Sequence, residues 1–432
     1  MASVWHENTN KPTFKELDKT IKTHVLIIGG GIAGLMCAHV LHERGIDYTL
    51  VEAEEICGGI TKNTTAKVTS QHGLIYAKLI RGAGAAKAKM FLDANENALN
   101  KIRSLCENID CDFEDKDSFV YSLTDEKKLR DEVAALKKLG FDAEFTPLIP
   151  LPFKTVGAVK FKNQAQFNPL KFLYSIAADL NIYEHTRVRG LVRNTAFAGN
   201  GEIHANKIIC ATHFPFINKH GLYPLKMYQS RSYVIALENA PNVGGMYVDE
   251  AMKGMSFRNY KDLLLIGGGD HRTGKDGGKW QELRDFAKKY SPDAKEKYAW
   301  ATQDCMTLDS VPYIGLYSKS TPGFYVTTGF NKWGMTTSLA AAEILTDMIM
   351  GKKNPYAAAF EPSRSILKPQ LAANAFEAAA DLFTFSRKRC PHLGCALKWN
   401  AEEHTWDCPC HGSRFDANGV LIDNPATGNL RN

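Results

Sequence analysis

Two hexapeptides near the C-terminus, Cys390-Pro-His392-Leu-Gly394-Cys395 and Cys408-Pro-Cys410-His411-Gly412-Ser413, hold four of the ten cysteines and two of the thirteen histidines. Thiolates and imidazoles at such spacing bind metals. Cys390, His392, Cys408 and His411 alone could satisfy a tetrahedral zinc ion. Cys395 and Cys410 are then left over, one in each hexapeptide, and a zinc clip has no use for them. Gly394 and Gly412 allow tight turns whose N–H groups can point at sulfur. At this level three chemistries compete: a zinc clip, a redox-active centre and a disulfide staple.

A second pattern lies at the other end. Gly29-Gly30-Gly31-Ile32-Ala33-Gly34 fits G-x-G-x-x-G, and Glu52 follows eighteen residues after Gly34. The elements that must position it are legible. Val25 to Ile28 reads as a buried parallel strand, Leu35 to Arg44 as a helix, and Tyr48 to Val51 as a second strand ending at Glu52. Gly29 permits the tight turn, Gly31 lets the backbone approach a pyrophosphate, and Gly34 lets helix and strand pack closely. Ile32 and Ala33, within the glycine turn, are further candidates for cofactor contact; the helix N-terminus attracts the phosphates, and Glu52 can accept from a ribose hydroxyl. The pattern specifies a dinucleotide but not FAD over NAD.

Composition excludes several classes. The apolar fraction is 44%, the charged fraction 23% and the net charge +6, with no long basic run, which argues against a nucleic-acid partner. The first residues lack an apolar signal core. Thr23 to His42 carries no Asp, Glu, Lys or Arg, but its glycines fit a buried strand, turn and helix better than a membrane span. The other six cysteines are dispersed, as reduced thiols would be. A cytoplasmic protein with two or three domains is expected.

From about Thr23 to Met350 the chain resembles the D-amino-acid oxidase and glycine oxidase superfamily of FAD enzymes. Gly58-Gly59-Ile-Thr-Lys-Asn-Thr-Thr65-Ala66-Lys67 is similar to the loop along the flavin. Ile182 to Val188 is similar to the strand whose valine meets the adenine, and Lys207 to Thr212, with Ala211, to the strand that closes the nucleotide domain. Thr307-Leu-Asp309-Ser-Val-Pro312-Tyr-Ile-Gly315 and Gly329-Phe-Asn-Lys-Trp-Gly334-Met335-Thr336 are similar to the segments beside the flavin. The resemblance implies contacts to FAD from Gly59, Thr65, Ala66, Val188, Ala211, Gly315, Gly329, Gly334, Met335 and Thr336. Glycines before the Ala-rich Ser338 to Ile349 helix would also place a positive dipole end at the flavin edge that gains charge on reduction.

Gly269-x-x-x-x-Gly274-Lys275 nearly spells a phosphate loop, but Asp276 stands where a magnesium-binding hydroxyl belongs, so no nucleoside triphosphate is expected. Cys305 is expected to be a buried structural thiol. Arg231, Arg258, His271 and Lys332 are the candidates for contacting a substrate, with Phe257, Tyr260, Tyr313 and Trp333 as possible cavity aromatics.

Arg389 to Leu430 resembles a Rieske iron–sulfur domain. The resemblance implies that Cys390 and Cys408 bind one iron, His392 and His411 the other, and that Cys395 and Cys410 form a disulfide. Pro425-Ala426 is similar to the third loop over the cluster. Ser413 matches a serine that hydrogen-bonds a bridging sulfide. Phe415 stands where high-potential members have tyrosine, implying a lower potential. Only residues 354–388 precede the first loop, so the module is short and must pack on the flavin domain.

The expected fold is α/β: a doubly wound FAD-binding domain with an inserted α+β substrate domain, built on an antiparallel sheet, and a short β-rich Rieske module. The expected ranges are 1–22 for an N-terminal extension and 23–72, 152–213 and 300–352 for the FAD domain. Residues 73–151 and 214–299 form the substrate domain, 353–388 a helical linker and 389–432 the Rieske module. The implied cofactors are FAD and a [2Fe–2S] cluster. The expected activity is oxidation of a small amine or amino acid by hydride transfer to flavin, with electrons passed singly through the cluster to an acceptor protein. The same sequence admits a reductase fed by a ferredoxin-like donor, or a non-catalytic electron-transfer protein.

Overall fold

The computed structural model describes residues 3–430 except 8, 200, 218, 385 and 387, and leaves the side chains of 378–383 undescribed. The parts of the expected ranges 1–22, 152–213, 214–299, 353–388 and 389–432 that fall on omitted positions lie outside the described residues.

The first sheet is nucleated by the apolar strand Ile21–Ile28. It pairs in parallel with Gly201–Cys210 on one side and Tyr48–Val51 on the other. Ile182–Tyr183 extends one edge; Phe324–Thr328 and the antiparallel Tyr313–Leu316 extend the other. The helices Ile32–Glu43 and Gly334–Ile349 cover one face, and the run Ala340-Ala341-Ala342 lets them approach closely. The hairpin Val188–Val192/Thr195–Ala198 helps cover the opposite face.

The second sheet has nine strands. Its long strand Met227–Glu238 lies between Leu263–Arg272 and Lys295–Thr307, both antiparallel. It is mixed rather than wholly antiparallel, because Met246–Asp249 runs parallel to Glu114–Ser122. Gly157–Gln166, inside the expected FAD range 152–213, pairs with Glu114–Ser122 in this second sheet. Lys295–Thr307 likewise crosses residue 300 without a break. Register with neighbouring strands, not position in the chain, decides which sheet a strand joins.

Residues 1–22 are not a loose tail where described. Trp5 is fully buried; its Nε1 donates to the Thr64 carbonyl at 2.7 Å and its ring meets Tyr260 edge-on at 4.8 Å. The linker contains the helix Pro369–Phe383. The tail folds into a four-stranded antiparallel sheet of Lys398–Asn400, Thr405–Asp407, Arg414–Asp416 and Leu421–Asp423.

Candidate active site and iron–sulfur centre

A cavity of about 1130 Å³ opens at the carboxyl ends of the parallel strands, above the ~300–1,000 Å³ of ordinary ligand pockets. Gly29, Gly31, Ile32, Ala33, Glu52, Gly59, Thr65, Val188, Ala211, Gly329, Gly334 and Met335 line it. Gly29 has φ +110°, and a Cβ there would meet the Ala211 carbonyl oxygen at 2.8 Å. A Cβ on Gly34 would lie 1.8 Å from the Gly29 oxygen, so this glycine serves helix–turn packing rather than the cavity wall. Glu52 Oε2 accepts from Gly30 N at 2.6 Å and Oε1 from Glu54 N at 2.9 Å.

Gly34, Ala66, Gly315 and Thr336 do not line the cavity. Ala66 and Thr65 instead offer their carbonyls to Arg258 NH1, at 2.8 and 2.7 Å. Gly315 backs onto Pro362, and the Thr336 hydroxyl binds the Thr69 carbonyl and Asn95 Oδ1 at 3.0 Å each.

Among the substrate candidates, Lys332 alone lines the cavity. Arg258 is buried under Trp5 and Tyr260 as the clasp of the loop carrying Thr65 and Ala66. Arg231 and His271 face away. Arg231 Nε donates to Glu403 Oε1 at 2.9 Å, and its NH2 reaches Oε2. His271 bonds the Tyr233 hydroxyl at 3.1 Å. Strand parity is the reason: successive side chains on a strand point to opposite faces. Ser230, Ser232, Asp270 and Asp304 line the cavity, whereas Gln229, Arg231 and Gln303 reach the C-terminal module. Asp270 and Asp304 were missed by sequence reasoning; the only signal was polar residues at alternate strand positions. Trp333 lines the cavity, but Phe257, Tyr260 and Tyr313 do not. Cys305 is buried, with its sulfur 3.5 Å from Met227 Sδ.

In the tail, Cys395 and Cys410 form a disulfide. Cys390 and Cys408 hydrogen-bond each other, which lowers the Cys390 thiol and raises Cys408; N–H groups of His392, Leu393, Cys410 and His411 point at the two sulfurs. The His392 and His411 rings lie 4.9 Å apart, and burial holds them neutral, at about 4 and about 3. Neutral imidazole is the form that binds iron. His411 Nδ1 is buried and has no hydrogen-bond partner among the described residues, while the ring interacts with the Pro224 carbonyl. These residues fit a [2Fe–2S] cluster held by two sulfurs and two imidazole nitrogens. Ser413 Oγ accepts from Ala426 N at 3.0 Å, and Phe415 is fully buried.

The module is fixed to the rest of the chain by polar contacts. Gln229 Nε2 donates to the His411 and Asn424 carbonyls at 3.2 Å each, and its Oε1 lies 3.0 Å from His213 Nε2. Gln303 Nε2 donates to the Gly412 carbonyl at 2.9 Å, and Arg272 to those of Pro409 and Cys410 at 3.1 and 3.2 Å. Arg414 NH2 joins Arg231 on Glu403 at 2.8 Å. Burial would raise the Glu403 carboxyl, but the bonds and charge of Arg231, with the charge of Arg414, hold it at about 2. His392 and His411 both pack toward Phe214, with ring centroids at 6.4 and 6.2 Å. Ala426 lines the cavity and also packs among Cys390, Cys395, Cys408 and Cys410.

A dinucleotide cavity sharing a wall with a two-Cys, two-His centre defines a flavin oxidoreductase that carries its own iron–sulfur module. The family model for FAD dependent oxidoreductase (DAO) matches residues 24–348 and that for the Rieske [2Fe-2S] domain residues 377–432; the chain belongs to the first family and ends in a domain of the second. Its cofactors are therefore FAD and a Rieske [2Fe–2S] cluster. A Bacillus subtilis (strain 168) relative named as a Rieske 2Fe-2S iron-sulfur protein, YhfW, is 34% identical across 99% of this chain and 97% of its own. The cytochrome b6-f complex iron-sulfur subunit 1 of Nostoc is 51% identical over 41 residues, 10% of this chain and 23% of that one. Among solved structures, glycine oxidase from Geobacillus kaustophilus superposes with TM-score 0.65 at 18% identity, covering 80% of this chain and all of that one. L-proline dehydrogenase from P.horikoshii gives 0.67 at 18%, covering 80% and 98%. At such identity these structures establish the fold. No helix among the described residues is long and apolar enough to cross a membrane.

Proposed function

We propose that this oxidoreductase is a dehydrogenase of a small amine or amino acid that sends its electrons through its own cluster to a one-electron acceptor protein. Bound FAD supplies a two-electron hydride acceptor and the cluster a one-electron acceptor. The observation that carries the reading is Ala426, which belongs at once to the wall of the flavin cavity and to the packing around the cluster cysteines. His411 faces inward, onto Phe214 and Pro224, while His392 is half-buried. The remaining parts follow from the chain. Gly334 starts a buried helix whose positive end lies at the cavity, where negative charge develops on flavin reduction. Leu393, between His392 and Cys395, is exposed and gives an outer face for the acceptor. Fold neighbours named as glycine oxidase and L-proline dehydrogenase support an amine or amino-acid substrate. The six dispersed cysteines are unpaired and buried, in keeping with the cytoplasm.

Anaerobic stopped-flow with a panel of amines and amino acids tests the reading. Bleaching of the flavin band followed by reduction of the cluster, seen by a rhombic EPR signal, is the expected result. A flavin that bleaches while the cluster stays oxidised would sink the relay. A cluster reduced only by an added ferredoxin, with no amine active, would reverse the direction of flow.

A further inference from the structure

The floor of the cavity carries charges that the nucleotide motifs do not need. Lys332 Nζ lies 2.8 Å from Asp270 Oδ1 and 2.9 Å from Ser232 Oγ. Asp304, on the neighbouring strand opposite Ser230, lines the same cavity and has neither hydrogen-bond nor ion-pair partner for its carboxylate among the described residues. Burial pushes this carboxyl up to about 6, against the charges of Lys332 and Arg231 and with that of Asp270. An unpaired, half-buried carboxylate facing a cavity is costly to keep and is a candidate binding group.

The two cations whose charge acts on Asp304, Lys332 and Arg231, are already committed. Arg231 is held by Glu403, and Arg258 by the Thr65 and Ala66 carbonyls. Lys332 is matched by Asp270. Lys67 lines the cavity with Thr65 Oγ1 at 3.1 Å and no ion pair among the described residues; burial, with Arg258 and Lys332, lowers its amine to about 7. Arg81 and Arg187 also line the cavity but stand on other elements, Arg187 against Glu54. No arginine projects from the floor strands into the cavity, and Asp304 has no ion-pair partner among the described residues.

We propose that Asp304 anchors the ammonium group of the substrate, so that the substrate is a cationic amine recognised through its nitrogen rather than an amino acid recognised through its carboxylate. The substrate role assigned to the cavity rests on the dehydrogenase reading above; the charge preference does not. The ammonium group donates to the Asp304 oxygens and leaves the carbon beside it within the cavity. Such a charge-assisted bond is worth ~10- to 100-fold in affinity.

The test is calorimetric binding to the oxidised holoprotein of three ligands of one shape: n-butylammonium, butyrate and n-butanol. Butylammonium should bind best. Asp304→Asn should weaken it ~10- to 100-fold, leave n-butanol unchanged and keep FAD and iron content at parent levels, and Asp304→Glu should recover part of the loss. Tighter binding of butyrate than of butylammonium by the parent protein, binding of none of the three, or butylammonium affinity indifferent to Asp304→Asn would each overturn the anchor. Amines that bleach the flavin equally in parent and Asp304→Asn protein would overturn the anchor and leave the dehydrogenase standing. Asp304-dependent binding without bleaching by any amine would do the reverse.

Discussion

Gln303 and Asp304 are neighbours in sequence and serve opposite chambers: the amide of Gln303 holds the Gly412 carbonyl of the cluster loop at 2.9 Å, and the carboxylate of Asp304 lines the flavin cavity. One strand thus forms the partition between the two redox centres. Gln229 repeats the arrangement on the next strand, beside Ser230. Replacing Gln229 by Ala removes its bonds to His411, Asn424 and His213. Flavin reduction by substrate should keep its rate while cluster reduction slows by roughly tenfold, about 1.4 kcal/mol of barrier. Stopped-flow absorbance at the two bands separates the steps; equal rates in variant and parent would show that this contact does not set transfer.

Glu403 compensates two buried arginines, Arg231 and Arg414. Glu403→Gln leaves both under-compensated and should cost ~3–5 kcal/mol, read as a lowered unfolding midpoint. The folded carboxyl sits at about 2, below its ordinary 4.5. Its contribution is therefore complete above about pH 4.5 and is lost as pH falls toward 2. The gap between parent and variant should close over that window.

Phe415 is fully buried, opposite Trp406 on the adjacent strand. Phe415→Tyr adds a hydroxyl donor beside the cluster. One hydrogen bond of ~1 kcal/mol favouring the reduced form raises a one-electron potential by about 40 mV. Film voltammetry or a redox titration followed by EPR measures it; an unchanged or lower potential would refute the assignment.

Asp304 also affects stability. Its folded carboxyl is raised from 3.8 to about 6, so the ionised form is penalised on folding. The penalty is absent below about pH 3.8 and complete above about 6. Without ligand, Asp304→Asn should unfold at a higher temperature than the parent at pH 8, by on the order of 1 kcal/mol, with the advantage fading as pH falls through that range. A less stable variant at pH 8 would mean that Lys332 depends on Asp304 more than its bond to Asp270 suggests.

Arg258 fixes the flavin loop through the Thr65 and Ala66 carbonyls. Arg258→Leu should leave these carbonyls without their donor, at ~1–3 kcal/mol, and lower FAD retention by roughly tenfold or more in a dialysis assay, with the cluster content unchanged.

The two cofactor signatures were legible because their geometry is local: a turn between strand and helix, and two short loops carrying sulfur and imidazole. The cavity floor was not. Arg231 and His271 were sensible guesses by residue type, yet they face the module because strand parity depends on pairing partners far along the chain and on the irregularity between Arg231 and Tyr233. Asp304 sits in Ala-Thr-Gln-Asp-Cys-Met-Thr, which has no motif, and becomes a candidate only once Ser230 lies opposite it. Gly34, Ala66 and Thr336 stand one residue from the lining and Gly315 lies on the edge strand against Pro362, distinctions that motif matching does not make.

The burial of His411 and the two cysteines constrains how the protein is made. Cys390, Cys408 and His411 are each less than 5% exposed, His392 is half-buried, and Phe214 packs toward both rings. A scaffold delivering preassembled iron and sulfide needs access that the docked module does not give. Cluster insertion is therefore expected to come before docking, while the tail is still open, with the loaded tail then closing onto Gln229, Arg272 and Gln303 of the second sheet.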